Sequence, residues 1–144
     1  MFLDKENLFS DAQAVTATAA SDNSIDLGAV RDIGTGEDLY IFVSVDVSMT
    51  DSGSDSTLAV ALEGDSTSTF TPDATETLFT FPALTAAGTV YYKKLSPGSG
   101  PLAYQYIQLK YTPANGNLST GSFTAGIVKD IQKFTAYADS IEIL

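Results

Sequence analysis

The sequence predicts an all-β protein, a single-domain β-sandwich of jelly-roll type with extended N- and C-terminal arms, and three observations carry that prediction. In the run Asp38–Thr50, residues Leu39, Ile41, Val43, Val45, Val47 and Met49 share one side of a two-residue period, and Tyr40, Phe42, Ser44, Asp46 and Ser48 share the other. About eight runs of this kind follow one another, divided by Gly, Pro, Asn, Asp and Ser at the spacing of a sandwich. The chain has 144 residues, no internal repeat and no linker, enough for one domain with a real core. The expected division is an arm at 1–11, the sandwich at 12–133 and a tail at 134–144.

Each element follows from local pattern. The opening segment carries Phe2, Leu3, Leu8 and Phe9 around Asp4, Lys5 and Glu6, too apolar for a free tail, and is read as a docking arm. Ala12 to Ala20 alternates small apolar and hydroxyl residues, a thin strand near an edge. A turn at Ser21 to Asn23 leads to a short paired segment from Ile25 to Leu27. A loop punctuated by Gly28, Gly34 and Gly36 then holds Arg31, Asp32 and Glu37. The long central strand should be covered on both sides in its first half and face water or a partner in its second, because its second face changes from aromatic to polar.

The loop Asp51–Ser56 joins it to a strand in which Leu58, Val60 and Leu62 oppose Ala59, Ala61 and Glu63. Gly64 to Thr75 reads as a loop with an edge segment near Thr69 to Thr71. Thr77 to Phe81 is a strand stopped by Pro82, whose missing N–H ends regular pairing. Gly88 to Leu95 sets Val90 and Tyr92 against Tyr91 and Lys93, and the turn Ser96–Pro101 follows. Tyr104 to Thr112 points Ile107, Leu109 and Tyr111 inward and Tyr104, Tyr106, Gln108 and Lys110 outward, and Pro113 to Asn117 turns the chain. The last long strand, Thr120 to Lys129, turns Phe123, Ala125 and Ile127 to one side, with Gly126 as a bulge or a close approach. Phe134, Tyr137, Ile141, Ile143 and Leu144 keep the tail apolar to its final residue, which marks it as a contact segment.

Composition removes most chemistry. There is no Cys, so no disulfide and no thiolate, and no His, so the commonest general base and metal ligand are missing. No cofactor, metal or catalytic residue is assigned, and the protein is read as a non-enzyme. Asp51 and Asp55 have no EF-hand spacing, and the Gly-x-Gly at Gly34 and Gly36 precedes a strand and lacks the third glycine of a dinucleotide fingerprint. Asp46 and Glu63 are the only acids inside good strand runs and read as solvated strand residues rather than a glycosidase pair. A net charge of -11 repels phosphate backbones, so no nucleic-acid partner is expected. The acids at the start do not suit a signal peptide, and no run is long and apolar enough for a membrane span. The outward tyrosines Tyr91, Tyr104 and Tyr106 are the one binding-like feature, suited to a protein interface, to sugar stacking or to plain cross-strand pairing.

Three stretches resemble a known family. They are the opening Met1 to Thr16, Asp26-Leu-Gly with Asp32-Ile-Gly-Thr-Gly-Glu37 before the long strand, and Thr124-Ala-Gly-Ile-Val-Lys-Asp-Ile-Gln132. Together they resemble the capsid cement proteins of short-tailed bacteriophages, the type found in Bordetella phages. The resemblance implies a jelly-roll decoration protein made in the host bacterial cytoplasm and carried on the outer surface of the virion head. Its implied partners are the major capsid protein and itself, with a homodimer preferred over a trimer. The contact candidates are Phe2, Leu3, Leu8, Phe9, Tyr91, Tyr104, Tyr106, Phe134, Tyr137, Ile141, Ile143 and Leu144. The rival readings are a carbohydrate-binding sandwich, disfavoured by the absence of Trp, and a module of a head fibre or baseplate.

Overall fold

The computed structural model describes residues 3–28, 38–96 and 99–129. The expected loop around Arg31, Asp32, Gly34 and Gly36 and the apolar tail lie outside the described residues. Among the described residues nine strands form two antiparallel sheets: β1 Leu8–Ala14, β2 Ala19–Ala20, β3 Ile25–Asp26, β4 Tyr40–Thr50, β5 Thr57–Asp65, β6 Ala74–Phe81, β7 Val90–Lys94, β8 Tyr106–Ala114 and β9 Thr120–Val128. One sheet runs β1-β9-β4-β7 and the other β2-β8-β5-β6, with β3 also on β8.

Because β2 and β3 both pair with β8, they act as one interrupted strand, and the pairings nest. The first strand pairs with the last, the second with the seventh, the third with the sixth and the fourth with the fifth. That is the jelly-roll arrangement the sequence predicts.

Period-two alternation explains the core. Ile41, Val43, Val45 and Met49 of β4 face Leu58, Val60 and Leu62 of β5 and Ile107, Leu109 and Tyr111 of β8, all buried. Phe123 sits between the rings of Phe81 (centroids 5.9 Å apart) and Tyr111 (5.7 Å, stacked). Phe42, on the other face of β4, is only 2% exposed and forms a small outer cluster with Leu8, Val128 and Tyr40. The first half of β4 is thus covered on both sides, while Asp46 in the second half is exposed, as the sequence pattern requires.

Several local expectations are corrected. Val47, assigned to the dry face, is 51% exposed, because the β4–β9 register slips between Val45 and Val47 and turns it outward. The strand expected over Ala12 to Ala20 begins earlier, at Leu8, ends at Ala14 and resumes as β2 in the other sheet. No strand forms at 69–71; instead β6 starts at Ala74. Pro113 lies inside β8 rather than in a turn, beyond Tyr111, the last residue that pairs with β2, where one ladder side is already free. Glu63 is buried, not solvated, and accepts a 2.8 Å hydrogen bond from Gln108 Nε2 on the neighbouring strand.

Two features tie the sheets together. A register shift at Phe9 in β1 lets both Phe9 and Ser10 face the interior. Ser10 Oγ donates to Gln13 Oε1 (2.7 Å), which leaves Tyr111 Oη as the donor in the 2.8 Å bond between Tyr111 and Ser10. Gln13 completes the relay by accepting from Asp22 N–H and donating to Ala20 O. Burial pushes the Tyr111 hydroxyl up to about 12. At one end, the short 3-10 turn Gly100–Ala103 packs on β5 and β6, with Leu102 against the core. A Cβ on Gly64 would stand 2.3 Å from Pro101 O, so glycine is what lets that turn approach.

Candidate interaction surface

The outer face of the four-stranded sheet is built from cross-strand rows. Leu8, Gly126, Phe42 and Tyr92 stand opposite one another across all four strands. Val128, Tyr40 and Lys94 form the next row on one side, and Thr124, Ser44 and Val90 on the other. Gly126 is a close approach: an added Cβ would lie 2.7 Å from Asn7 O and 2.9 Å from a Leu8 methyl. The extra residue of the bulge sits on β1, not on β9.

The face changes character along its length. Around Phe42 it is apolar. Toward the far end Thr124 Oγ1 donates to Asp46 Oδ2, Ser44 Oγ donates to Asp46 Oδ1 (3.4 Å), and Thr124 Oγ1 accepts from Ala12 N–H (3.0 Å). Lys94 caps the apolar end through an exposed ion pair with Asp38 (2.7 Å), which raises the lysine pKa by hydrogen bonding and charge.

Exposed apolar side chains concentrate along the β7 side of this sheet: Val47, Leu84, Val90, Tyr91 and Tyr92. The residues after Leu84 run beside β4, with Met49 N–H donating to Thr85 O and Val45 N–H to Thr89 O (both 2.9 Å). Two backbone irregularities create the display. The slip in β4 turns Val47 out, and Leu84 adopts φ +60°, a left-handed conformation that costs a large side chain energy, yet is 55% exposed. Strain that holds an apolar side chain in water is a feature of contact sites rather than of cores.

The structure distributes the sequence-predicted contact residues unevenly. Leu8 and Phe9 are buried within the domain, Leu3 is exposed ahead of β1, and Phe2, Phe134, Tyr137, Ile141, Ile143 and Leu144 lie outside the described residues. The three tyrosines form no single row. Tyr106 opens β8 in one sheet and Tyr104 lies just before it, both half-buried, while Tyr91 sits on β7 in the other. Tyr91 points inward, not outward, with its ring edge-on to Phe81 (4.8 Å) and tilted against Phe79 (6.1 Å). Lys93, on the same side, reaches across to Glu76 of β6 (2.8 Å), so β7 and β6 close the sandwich edge together. The sequence offered Val90 and Tyr92 as one face of a strand, but only the strand order reveals that this strand is an edge.

Asp46 and Glu63 belong to different sheets and to opposite outer faces, so no groove holds both. Among the described residues no three Asp or Glu side chains come together in a way that could hold a metal ion. The Ser56 side chain and the N–H groups of Ser56, Gly53 and Asp55 hold the Asp51 carboxyl at about 2, so its hydrogen bonds serve its own loop. The Thr67 N–H and hydroxyl likewise hold Asp65 below the usual carboxylate range.

A model of the Bbp16 family matches residues 9–127, which spans β1 through nearly all of β9. No curated protein matches the chain.

Proposed function

The chain belongs to the Bbp16 family, named for the capsid cement protein of Bordetella phage BPP-1, and we propose that it serves as a cement protein on the outside of an icosahedral phage head. The family is one of structural phage proteins, which implies a non-enzymatic role in the virion. The observation that carries the proposal is the match over the whole sandwich rather than over one motif. The exposed apolar side chains beside β7, with Leu84 held out on a left-handed backbone, support it, because they suit a protein partner.

In this reading each copy binds the major capsid protein, associates with further copies of itself and bridges capsomers that are already joined beneath it. Contacts that are modest singly, repeated by symmetry, then act at high effective concentration and resist the pressure of packaged DNA. The contact set is Val47, Leu84, Val90 and Tyr92, joined by Leu3 and Phe2 of the arm, Tyr104, Tyr106, and the tail residues Phe134, Tyr137, Ile141, Ile143 and Leu144. Leu8, Phe9 and Tyr91 drop out of it, since their side chains serve the domain's own packing.

The test is to mix the purified protein with heads stripped of cement, sediment the particles and measure bound copies against the major capsid protein. Saturation at a fixed small-integer ratio, with heads that survive heating better, is the expected result. No binding to heads, together with retention on a glycan array, would replace the proposal with a carbohydrate-binding role.

A further inference from the structure

We propose that β7 pairs antiparallel with β7 of a second copy of this chain, joining two four-stranded sheets edge to edge. The inference deepens the cement reading by assigning its self-contact, and it rests on that reading only for the expectation that copies associate.

β7 is the last strand of its sheet and is bonded to β4 on one side. The hydrogen-bond parity is set at both ends, by Val45 N–H donating to Thr89 O and Leu95 N–H donating to Leu39 O (2.8 Å). Antiparallel partners exchange bonds at every second residue, so Tyr91 and Lys93 turn their backbone groups toward β4. Val90, Tyr92 and Lys94 turn theirs outward, a row with no strand partner among the described residues and so able to template another strand. The other edges are poorer templates. β1 shifts register twice, β2 and β3 have two residues each, and β6 shifts register within its run.

Charge and symmetry choose the occupant. β7 reads Val-Tyr-Tyr-Lys-Lys, and its two cations are answered by Glu76 and Asp38 beside them, so in a chain of net charge -11 this edge is a locally compensated place where two copies can meet without like charges in excess. Two-fold pairing centred on Tyr92 sets Val90 against Lys94 of the partner subunit and Tyr91 against Lys93 of the partner subunit. Lysine never faces lysine, every outward backbone group gains a mate, and Val90 and Tyr92, 46% and 44% exposed, are covered.

Analytical ultracentrifugation of the full chain and three variants tests the pairing. Tyr92→Pro removes an outward N–H and spares the β4 ladder, since an edge tolerates proline where the N–H faces solvent; circular dichroism checks the sheet. Val90→Lys sets like charges opposite each other twice per dimer, and Val90→Glu sets opposite charges there. The wild type is expected to dimerise, Tyr92→Pro to be monomeric, Val90→Lys to weaken the dimer about tenfold, and Val90→Glu to keep or tighten it. If Tyr92→Pro does not fold, the sign of the Val90 pair decides. A monomeric wild type, or a dimer indifferent to charge at position 90, would overturn the pairing. Head sedimentation separates the two readings: dimers that ignore heads remove the cement role and leave the pairing. A monomeric wild type that loses head binding on Tyr92→Pro puts a capsid strand on this edge instead.

Discussion

Tyr111 and Leu84 show opposite uses of a single side chain. The Tyr111 hydroxyl donates across the core to Ser10, linking the two sheets through one buried bond. Tyr111→Phe removes that bond, leaves Ser10 bonded to Gln13, and should cost about 1 kcal/mol in urea unfolding. Because burial raises this hydroxyl from 10.0 to about 12, its contribution is fully present below pH 10 and is lost as pH rises through about 12. The loss should reach about 3 kcal/mol in the wild type and be missing from Tyr111→Phe, which denaturant titrations at stepped alkaline pH would resolve. Leu84 contributes nothing comparable to the core. Leu84→Gly relieves its left-handed backbone and should leave stability unchanged or raise it by up to about 1 kcal/mol while weakening binding to stripped heads. A variant that melts earlier and binds heads normally would show that Leu84 serves the fold rather than a partner.

At the level of the element, Gly64 governs how the sandwich is closed. With Pro101 backbone atoms 2.3 to 2.8 Å from where a Cβ would stand, Gly64→Ala must push the Gly100–Ala103 turn off β5 and loosen Leu102 from the core. The expected cost is about 3 kcal/mol, measurable by thermal unfolding, with enhanced proteolysis near residue 102. The same elements show what a sequence makes legible. β4, β5, β8 and β9 could be read because one buried face imposes strict alternation on Ile41 to Val45, Leu58 to Leu62, Ile107 to Tyr111 and Phe123 to Ala125. Val47 could not, since a register slip leaves no mark in a pattern of alternating residues. Nor could the buried Glu63, whose partner Gln108 is 45 positions away and meets it only once β5 and β8 pair. The proposed contact surface was least legible: Val90 and Tyr92 enter it because β7 is an edge, and strand order is a property of the assembled sheet.

For the whole molecule, the nested pairing accounts for how a chain with no disulfide or metal-ligand chemistry of the usual kind holds a single shape. All four pairings join strands that run antiparallel, and three of them bring together segments far apart in the chain, so the fold depends on long-range contacts rather than on local staples. An acidic surface opposes random aggregation of such a molecule, and among the described residues most of the large apolar side chains left exposed lie on the β7 flank, with Leu3 and Leu27 apart from it.

The side-by-side placement of the first and last strands has a mechanical consequence. Leu8, where β1 begins, lies opposite Gly126, two positions before β9 ends, so traction applied through both ends of the sandwich would act at the same corner of one sheet. Such traction peels the β1–β9 ladder bond by bond, like a zipper, instead of shearing all its bonds at once. Optical-tweezer pulling from the two ends should therefore open the domain at much lower force than pulling between anchors on β4 and β5. If the protein serves as cement, such a domain withstands strain best where the load enters through its flanks.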